Sequence, residues 1–254
     1  MIKQLIIGVS LAAVIGVQAE TAEEAWSKLV RNKRFLRNSA FKYVKNNPKL
    51  PNVFIYGDSI SIGYGPDVRK DLTGKANVYR LYRNGSSSNT VIDGFKRQEK
   101  VMRDKKLTDP WDFKWDVITV NVGLHDLKYM KGKKLSIKDG KQVNSIEQYK
   151  KNLVDVFNFF KKTQPQAKVI FVTTTPVPAR SGGRKQGDAA KYNAAAMEVL
   201  KKFPSVQICD LYSASLPNQP KWWTKPGNVH YNRTGRKAQG DFVAKAIEQA
   251  LAKK

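Results

Sequence analysis

Five short apolar runs, rich in β-branched residues, recur along the chain and alternate with longer amphipathic stretches. In the longer stretches apolar residues return every three or four positions, which is the spacing of one face of an α-helix. The short runs are bounded by polar and glycine-containing segments, as is typical of buried strands. The pattern predicts strands at residues 53–56, 78–82, 117–122, 169–173 and 206–209, and helices at residues 66–72, 91–103, 145–162, 188–203 and 235–252.

This alternation of strand and helix predicts the class of fold. Strands that are connected through helices pair in parallel, and the helices then cover both faces of the sheet. In such α/β sheets, ligands bind at the carboxyl ends of the strands. We therefore expect one α/β domain whose functional residues directly follow the predicted strands.

The first residues have the order of an export signal. Lys3 precedes an apolar run at residues 5–17, and the small residue Ala19 follows it. This order predicts a signal peptide at residues 1–19, and hence a bacterial protein that is secreted or periplasmic. An uncleaved N-terminal anchor is the alternative.

The next stretch, residues 20–50, is predicted to be an N-terminal helical segment. Its apolar positions predict a helix over residues 21–47, which Pro48 ends. The α/β domain is then expected at residues 51–254. No later stretch is apolar enough to cross a membrane, so no transmembrane segment is expected in the mature chain.

The net charge of the chain bears on which partners it can bind. The chain has 46 Lys and Arg against 21 Asp and Glu, a net charge of +25, and the basic residues are spread along its whole length. Such a field attracts polyanions. For an exported protein we expect an acidic or sulfated polysaccharide, or an anionic cell surface, and no specific nucleic acid. A basic surface without a dedicated partner is the alternative.

Polar blocks stand where the fold would place a site. Gly57-Asp58-Ser59 follows the first predicted strand, and Arg83-Asn84-Gly85-Ser86 follows the second. The chain has only two histidines. His125 follows the third predicted strand, and His230 precedes the last predicted helix. A histidine at that edge of the sheet can act as general base to a serine nucleophile.

In this order, the blocks resemble those of the SGNH (GDSL-like) hydrolase family, over roughly residues 53–251. The resemblance implies a three-layer α/β/α sandwich with a flavodoxin-like parallel sheet of about five strands. It also implies a serine esterase with Ser59 as the nucleophile and His230 as the general base. The oxyanion hole would comprise the N–H groups of Ser59 and Gly85 together with the side chain of His125.

Two positions depart from the family pattern. His125 stands where the family usually has an asparagine that donates to the oxyanion, and a protonated ring nitrogen can donate in its place. Gly227 stands where the family commonly has the aspartate that orients the catalytic histidine. Either a backbone carbonyl or Asn228 accepts from the ring in a Ser-His dyad, or another acid takes the role, for which Asp210 at the end of the fifth strand is the candidate. The same absence also fits a degenerate protein that only binds polysaccharide.

No cofactor is expected. Phosphate-loop and dinucleotide fingerprints are missing, and the two histidines and the single cysteine, Cys209, have no metal-ligand spacing. A lone cysteine also provides no intramolecular disulfide, so Cys209 is expected in the core.

Aromatic residues near the predicted base suggest a substrate. Trp222 and Trp223 precede His230 in the same loop, and aromatic faces suit a sugar ring. Together with the basic charge, they favour a carbohydrate O-acetylesterase that acts on an acetylated, anionic polysaccharide. The alternative functions are those of a lipolytic enzyme or thioesterase of the same fold, or of a binding protein. The alternative role of the two tryptophans is packing in the core.

Overall fold

The computed structural model describes residues 19–252, so the predicted signal peptide lies outside the described residues except for Ala19. A five-stranded parallel sheet forms the centre of the molecule, in the order β2-β1-β3-β7-β8. This is the order of a flavodoxin-like sheet. Its strands are β1 (Asn52–Gly57), β2 (Asn77–Arg80), β3 (Val117–Asn121), β7 (Lys168–Val172) and β8 (Gln207–Cys209).

Helices cover both faces of this sheet, as the sequence predicts. Helices α3 and α9 pack together on one face with α7, while α4, α5 and α6 pack side by side on the other. The helices are α1 (Ala22–Val30), α2 (Lys33–Leu36), α3 (Ser59–Asp71), α4 (Val91–Met102), α5 (Ile146–Thr163), α6 (Asp188–Leu200), α7 (Leu211–Ser215), α8 (Gln219–Trp222) and α9 (Arg233–Ala252).

The central strands are buried on both sides because each face has its own helical layer. All residues of β1 and β3 are buried, and Val53 pairs in register with Val78 of β2 and Val117 of β3. A small antiparallel sheet lies apart from the main one. It consists of β4 (Tyr129–Lys131), β5 (Lys134–Leu135) and β6 (Lys141–Gln142), with β4 in the middle.

The first helix after β1 begins earlier than predicted. The pattern places its start at Pro66, because proline is common at the first helical position. The structure starts α3 at Ser59, where the Asp58 side chain caps it by accepting the Ile60 N–H at 2.8 Å, and Pro66 lies inside the helix. The cap therefore decides the start, and it brings Ser59 into the first turn.

The predicted helix over residues 21–47 is correct only in its first part. A capping box at Thr21 starts α1, and the helix ends at Arg31, whose φ is +54°. Asn32 then caps the short α2, and a single 3₁₀ turn (Ser39–Phe41) follows. Residues 42–51 are not helical, since Asn47 exchanges two hydrogen bonds with the Asn77 side chain at the start of β2.

Within the described residues, we find no helix that is both long and apolar enough to span a bilayer.

Candidate active site

Ser59 lies at the carboxyl end of β1, in the first turn of α3. The first N–H groups of a helix have no partner inside it, and they carry partial positive charge. No partner of the Ser59 N–H is found within residues 19–252. This serine therefore presents both a hydroxyl and an N–H at the edge of the sheet where ligands bind.

His230 meets Ser59 across the site. Its Nε2 lies 2.8 Å from Ser59 Oγ, although the two residues are 171 positions apart. Its other ring nitrogen, Nδ1, lies 2.9 Å from Asn228 Oδ1. The structure thus brings together the serine, the histidine and one of the two predicted ring-orienting residues.

The hydrogen bonds determine which ring nitrogen carries the proton. Asn228 Oδ1 also accepts the backbone N–H of His230 at 2.9 Å, and a backbone N–H can only donate. The atom next to Nδ1 is therefore the amide oxygen, which only accepts. Nδ1 must then carry the hydrogen, and Nε2 has the free lone pair that accepts from the Ser59 hydroxyl.

Burial and nearby positive charge favour the neutral form of the His230 ring. Burial lowers its pKa below the ordinary value, and the guanidinium groups of Arg184 and Arg236 lower it further. Arg184 is held in place by its Nε, which donates to Leu124 O at 2.9 Å, and Arg236 by its Nε, which donates to Tyr231 O at 2.7 Å. A neutral imidazole is the form that can accept a proton.

The backbone at Gly227 explains why no aspartate stands three residues before His230. Its φ of +74° is rarely adopted by other residues, and a Cβ there would lie 2.9 Å from the carbonyl oxygen of Arg180. An aspartate at 227 would strain this turn. The neighbouring Asn228 reaches the ring in its place.

Asp210 does not orient the ring. Its Oδ1 instead accepts from the Thr173 hydroxyl at 3.0 Å and from the Ser213 N–H at 3.2 Å, which caps α7. An acid at the end of a strand and the start of a helix is well placed as a cap. Of the two predicted candidates, only Asn228 contacts His230.

The predicted donor at Gly85 is also corrected. Its N–H donates to Gly57 O at 3.0 Å, so it is already used within the protein. A Cβ at this position would lie 2.6 Å from the same oxygen, so the glycine allows two chain segments to approach closely. Its role is to shape the loop after β2.

Asn84, beside it, is a candidate that the sequence analysis missed. Its side chain lines the same cavity as Ser59 and His230. The amide oxygen accepts the Ser86 N–H at 2.9 Å, and its NH₂ group has no partner within residues 19–252. A free amide beside the serine can donate to an oxyanion. The Asn-Gly pair was the available clue, but it indicated the glycine.

The Nδ1 atom of His125 is buried and has no hydrogen-bond partner within residues 19–252. Burial lowers the pKa of His125 to about 3, helped by the positive charges of Lys128 and Arg184. Its ring is therefore neutral at physiological pH. The next residue, Asp126, is buried and ties this block to the loop after β2, accepting from the Ser88 N–H and hydroxyl and from Asn144.

Comparison with known families agrees with this geometry. A family model described as "GDSL-like Lipase/Acylhydrolase family" matches residues 55–238, which include Ser59, Asn228 and His230. The chain belongs to the GDSL-like lipase/acylhydrolase family. It is therefore a serine esterase. A comparison with curated protein sequences gave no significant match.

Solved structures share the fold of this GDSL-like hydrolase at low sequence identity. A lipase/acylhydrolase from Enterococcus faecalis is 19% identical, with a TM-score of 0.57 over 78% of this chain and 96% of that one. The acetyl xylan esterase AlAXEase is 21% identical, with a TM-score of 0.56 over 77% and 99%. A carbohydrate esterase family 2 enzyme from Corynascus thermopiles (Myceliophthora fergusii), which has a carbohydrate-binding domain, is 16% identical, with a TM-score of 0.53 over 83% and 69%.

A cavity of about 720 Å³ opens beside the Ser59–His230 pair of this GDSL-like hydrolase. Its volume lies within the range of small-molecule sites, yet most of its lining is polar or charged. The described residues that line it are Asn32, Arg34, Phe35, Asn38, Ser39, Ser59, Ile60, Ile62, Gly63, Pro66, Asp67, Asn84, His230, Tyr231, Arg233, Arg236 and Gln239.

The two tryptophans predicted to bind substrate are not among those residues. Trp222 and Trp223 are partly buried and pack against the core. Trp223 pairs with Tyr231 in an antiparallel bridge, and the Trp222 carbonyl accepts the Asn232 N–H. They support the loop that presents His230, and their contact with substrate stays a prediction.

Metal ligation has no candidate in the part of the chain that the structure describes: no three His, Cys, Asp or Glu side chains are grouped to hold an ion.

Proposed function

We propose that this chain is a secreted serine esterase that removes O-acetyl groups from an anionic polysaccharide, with Ser59 as nucleophile and His230 as general base. The observation that carries the proposal is the 2.8 Å contact between Ser59 Oγ and His230 Nε2, with Nδ1 held by Asn228. A serine becomes a nucleophile when a neighbouring base takes its proton and a third group orients that base.

The acylation step follows from this arrangement. Ser59 Oγ forms a bond to the ester carbonyl carbon while its proton passes to His230 Nε2. The tetrahedral intermediate then collapses, the bond to the alcohol oxygen breaks, and the imidazolium returns the proton to the leaving alcohol. During proton transfer, the positive ring keeps its Nδ1–H on Asn228 Oδ1.

Deacylation reverses the roles. Water gives a proton to His230 Nε2 as its oxygen attacks the acyl carbon of the Ser59 ester. Collapse of the second intermediate releases the acid, and Oγ takes the proton back. The lowered pKa of His230 leaves the ring free to act as base at neutral pH.

Negative charge on the carbonyl oxygen needs donors. We assign this role to the free Ser59 N–H, to the Asn84 amide and to the neutral ring of His125. Donors that are already in place when charge develops typically contribute a few kcal/mol each. His125 would thus take the part that an asparagine commonly plays in the family.

The polar cavity supports a carbohydrate substrate. A long acyl chain requires an apolar groove, whereas this cavity is lined mainly by asparagine, arginine, serine and other polar side chains. Such a lining suits a leaving group rich in hydroxyls, and a small acyl group such as acetyl needs little room. The solved structures of an acetyl xylan esterase and of a carbohydrate esterase family 2 enzyme, which share the fold, support the same substrate class.

Four measurements test the proposal. Ser59→Ala should abolish both hydrolysis of 4-nitrophenyl acetate and labelling by a fluorophosphonate, whereas Ser27→Ala, at an exposed position of α1, should retain both. Wild-type protein should release acetate from acetylated acidic polysaccharides, and its activity on nitrophenyl esters should fall as the acyl chain lengthens. Retained labelling of Ser59→Ala would refute the assignment of the nucleophile.

The second serine of the motif, Ser61, is not a substitute nucleophile. Its hydroxyl donates to Asp58 O at 2.8 Å and accepts from the buried guanidinium of Arg80 at 3.1 Å.

Equal activity on long and short acyl esters would favour a lipolytic enzyme and contradict the carbohydrate part of the proposal.

A further inference from the structure

One wall of the active-site cavity comes from outside the segment that matches the family. The family match begins at residue 55, whereas the wall is formed by residues of α2 and the 3₁₀ turn after it. Residues from the first turns of α3 and α9 line the same cavity, and the 3₁₀ turn contacts α3. The described residues that form it are Asn32, Arg34, Phe35, Asn38 and Ser39.

The wall is fixed to the domain at several points. Arg69 of α3 donates from Nη1 to the carbonyl oxygens of Ser39 and Lys42, at 3.0 and 3.1 Å. Phe41, at the end of the 3₁₀ turn, is buried, and its ring lies 4.3 Å from the guanidinium carbon of the buried Arg80. The Trp26 indole N–H donates to the Phe41 carbonyl at 2.8 Å. Such a wall can define a binding site because its position does not depend on a ligand.

The charges of the cavity are unbalanced. Asp67 is the carboxylate in its lining, and Arg233 already pairs with both oxygens of that group, at 2.6 and 2.8 Å. Arg34 has no carboxylate partner within residues 19–252. Arg236 uses only Nε, on Tyr231 O, and its two terminal nitrogens have no partner among the same residues. The lining therefore includes two guanidinium groups, those of Arg34 and Arg236, that have no carboxylate partner within residues 19–252.

The same wall offers neutral polar groups. Asn32 and Asn38 use their side-chain oxygens to cap α2 and the 3₁₀ turn, accepting from Arg34 N–H and Ala40 N–H. Their NH₂ groups have no partner in the described part of the chain. Phe35, between them, is half-buried and stacks on Phe41 with the ring centroids 4.3 Å apart. Amides beside an aromatic ring suit the hydroxyls and apolar face of a sugar.

We propose that this wall is a sugar subsite in which Arg34, together with Arg236 of the same lining, binds the carboxylate or sulfate of a residue next to the acetylated one. The inference rests on the proposed function and names the feature that would select an anionic polymer. A guanidinium group matches the geometry of both anions through paired N–H donors. Arg34 would then be a specificity-determining residue outside the common part of the fold.

Binding to the inactive Ser59→Ala protein tests the subsite separately from hydrolysis. The probes are hexagalacturonate, a sulfated galactan hexamer and neutral xylohexaose, each measured by calorimetry at about 0.15 M salt, where long-range attraction is screened. We expect one of the two anionic hexamers to bind at least tenfold more tightly than xylohexaose. The stronger of the two identifies the anion as carboxylate or sulfate.

Two matched variants separate the subsite from the overall charge of the protein. Arg34→Gln should remove most of the anionic preference, whereas Arg37→Gln, which removes the same charge three residues away and outside the cavity, should keep it. If both variants weaken binding equally, or if xylohexaose binds as tightly as the anionic hexamers, the subsite is refuted.

Activity then shows whether the subsite serves the esterase. In the protein with intact Ser59, Arg34→Gln should reduce kcat/KM on an acetylated acidic polymer at least tenfold more than on 4-nitrophenyl acetate. If wild-type protein hydrolyses neither ester while the binding preference holds, the proposed function fails and the subsite stands. If hydrolysis is normal and the two losses are equal, the subsite fails alone.

Discussion

An amide holds the ring of His230 at the position where a serine triad has a carboxylate. The two differ in one respect that matters for chemistry. Both accept the Nδ1–H and so fix the same tautomer, but only a carboxylate stabilises the positive ring that forms during proton transfer. Asn228 therefore supplies orientation without the charge.

This difference predicts the effect of Asn228→Asp. The Oδ1 atom that accepts the ring and backbone N–H groups of His230 is kept, and the Asn228 NH₂ group that is lost has no partner in residues 19–252. A negative partner raises the pKa of His230 and stabilises its imidazolium. We expect kcat on 4-nitrophenyl acetate at about pH 8 to rise by roughly tenfold, and the acidic limb of the pH–rate profile to move to higher pH.

Asn228→Ala is the matched control, because it removes the acceptor and should lower kcat. A pH–rate profile of Asn228→Asp with an unmoved acidic limb and unchanged kcat would show that Asn228 does not contact the ring during catalysis.

His125 predicts a pH dependence of stability. Its pKa is about 3 in the folded protein and 6.5 ordinarily, so the unfolded chain takes up a proton that the folded one does not. The unfolding free energy therefore has its full His125 contribution above pH 6.5 and loses it as the pH falls toward 3. His125→Asn should lose less stability than wild type between about pH 7 and pH 5, as measured by urea unfolding.

Other groups titrate in the same range but cancel in this comparison. Burial raises the pKa of Asp58 to about 6. The contribution of Asp58 to the unfolding free energy therefore has the opposite pH dependence, since it is lost as the pH rises. Asp58 is present in both proteins. Parallel stability curves for wild type and His125→Asn would contradict the buried, neutral state of His125.

At the scale of elements, the close crossing of α3 and α9 positions the site, since α3 begins at Ser59 and α9 begins three residues after His230. The crossing depends on Gly240. A Cβ there would lie 2.5 Å from the Asp67 Cβ and 3.1 Å from the Tyr64 carbonyl oxygen. Backbone atoms cannot yield to such a contact without moving one helix.

Gly240→Ala should therefore destabilise the protein although alanine favours helices. Overpacking of this kind costs about 1–3 kcal/mol of unfolding free energy, and the displaced helix should also lower kcat on 4-nitrophenyl acetate. Lys245→Ala, at an exposed position of the same helix, is the control and should change the unfolding free energy by less than about 0.5 kcal/mol. Equal stability of the two variants in urea would refute the close crossing.

The elements also show how far a sequence determines a site. The five strands were predictable, because burial on both faces leaves a strong apolar pattern. So were the places of Ser59 after the first strand and of His230 before the last helix. The partner of the ring was not, because it depends on where each side chain lies in the folded chain: Asn228 contacts Nδ1 of His230, whereas Asp210 accepts from Thr173 and Ser213. The use of the Gly85 N–H and the place of Arg34 depend on contacts between distant segments, which no local pattern records.

For the whole molecule, charge acts on a longer range than any single arginine. A net charge of +25 surrounds the cavity with a positive potential that speeds the approach of a polyanion and is screened by salt. The kcat/KM on an acetylated acidic polysaccharide should fall severalfold between about 0.05 M and 0.5 M NaCl. The value on 4-nitrophenyl acetate, which is uncharged, should change little, and an equal fall for both substrates would contradict electrostatic attraction.

The burial of Cys209 has a practical consequence for experiments on this protein. It is the single cysteine of the chain, and burial raises the pKa of its thiol to about 12, so that it stays protonated and does not react with maleimides. A cysteine introduced at Leu36, whose side chain is 41% exposed on α2, would be the one thiol available to a dye. A fluorophore attached there would adjoin Phe35, which lines the cavity, and its emission should change when the cavity is occupied.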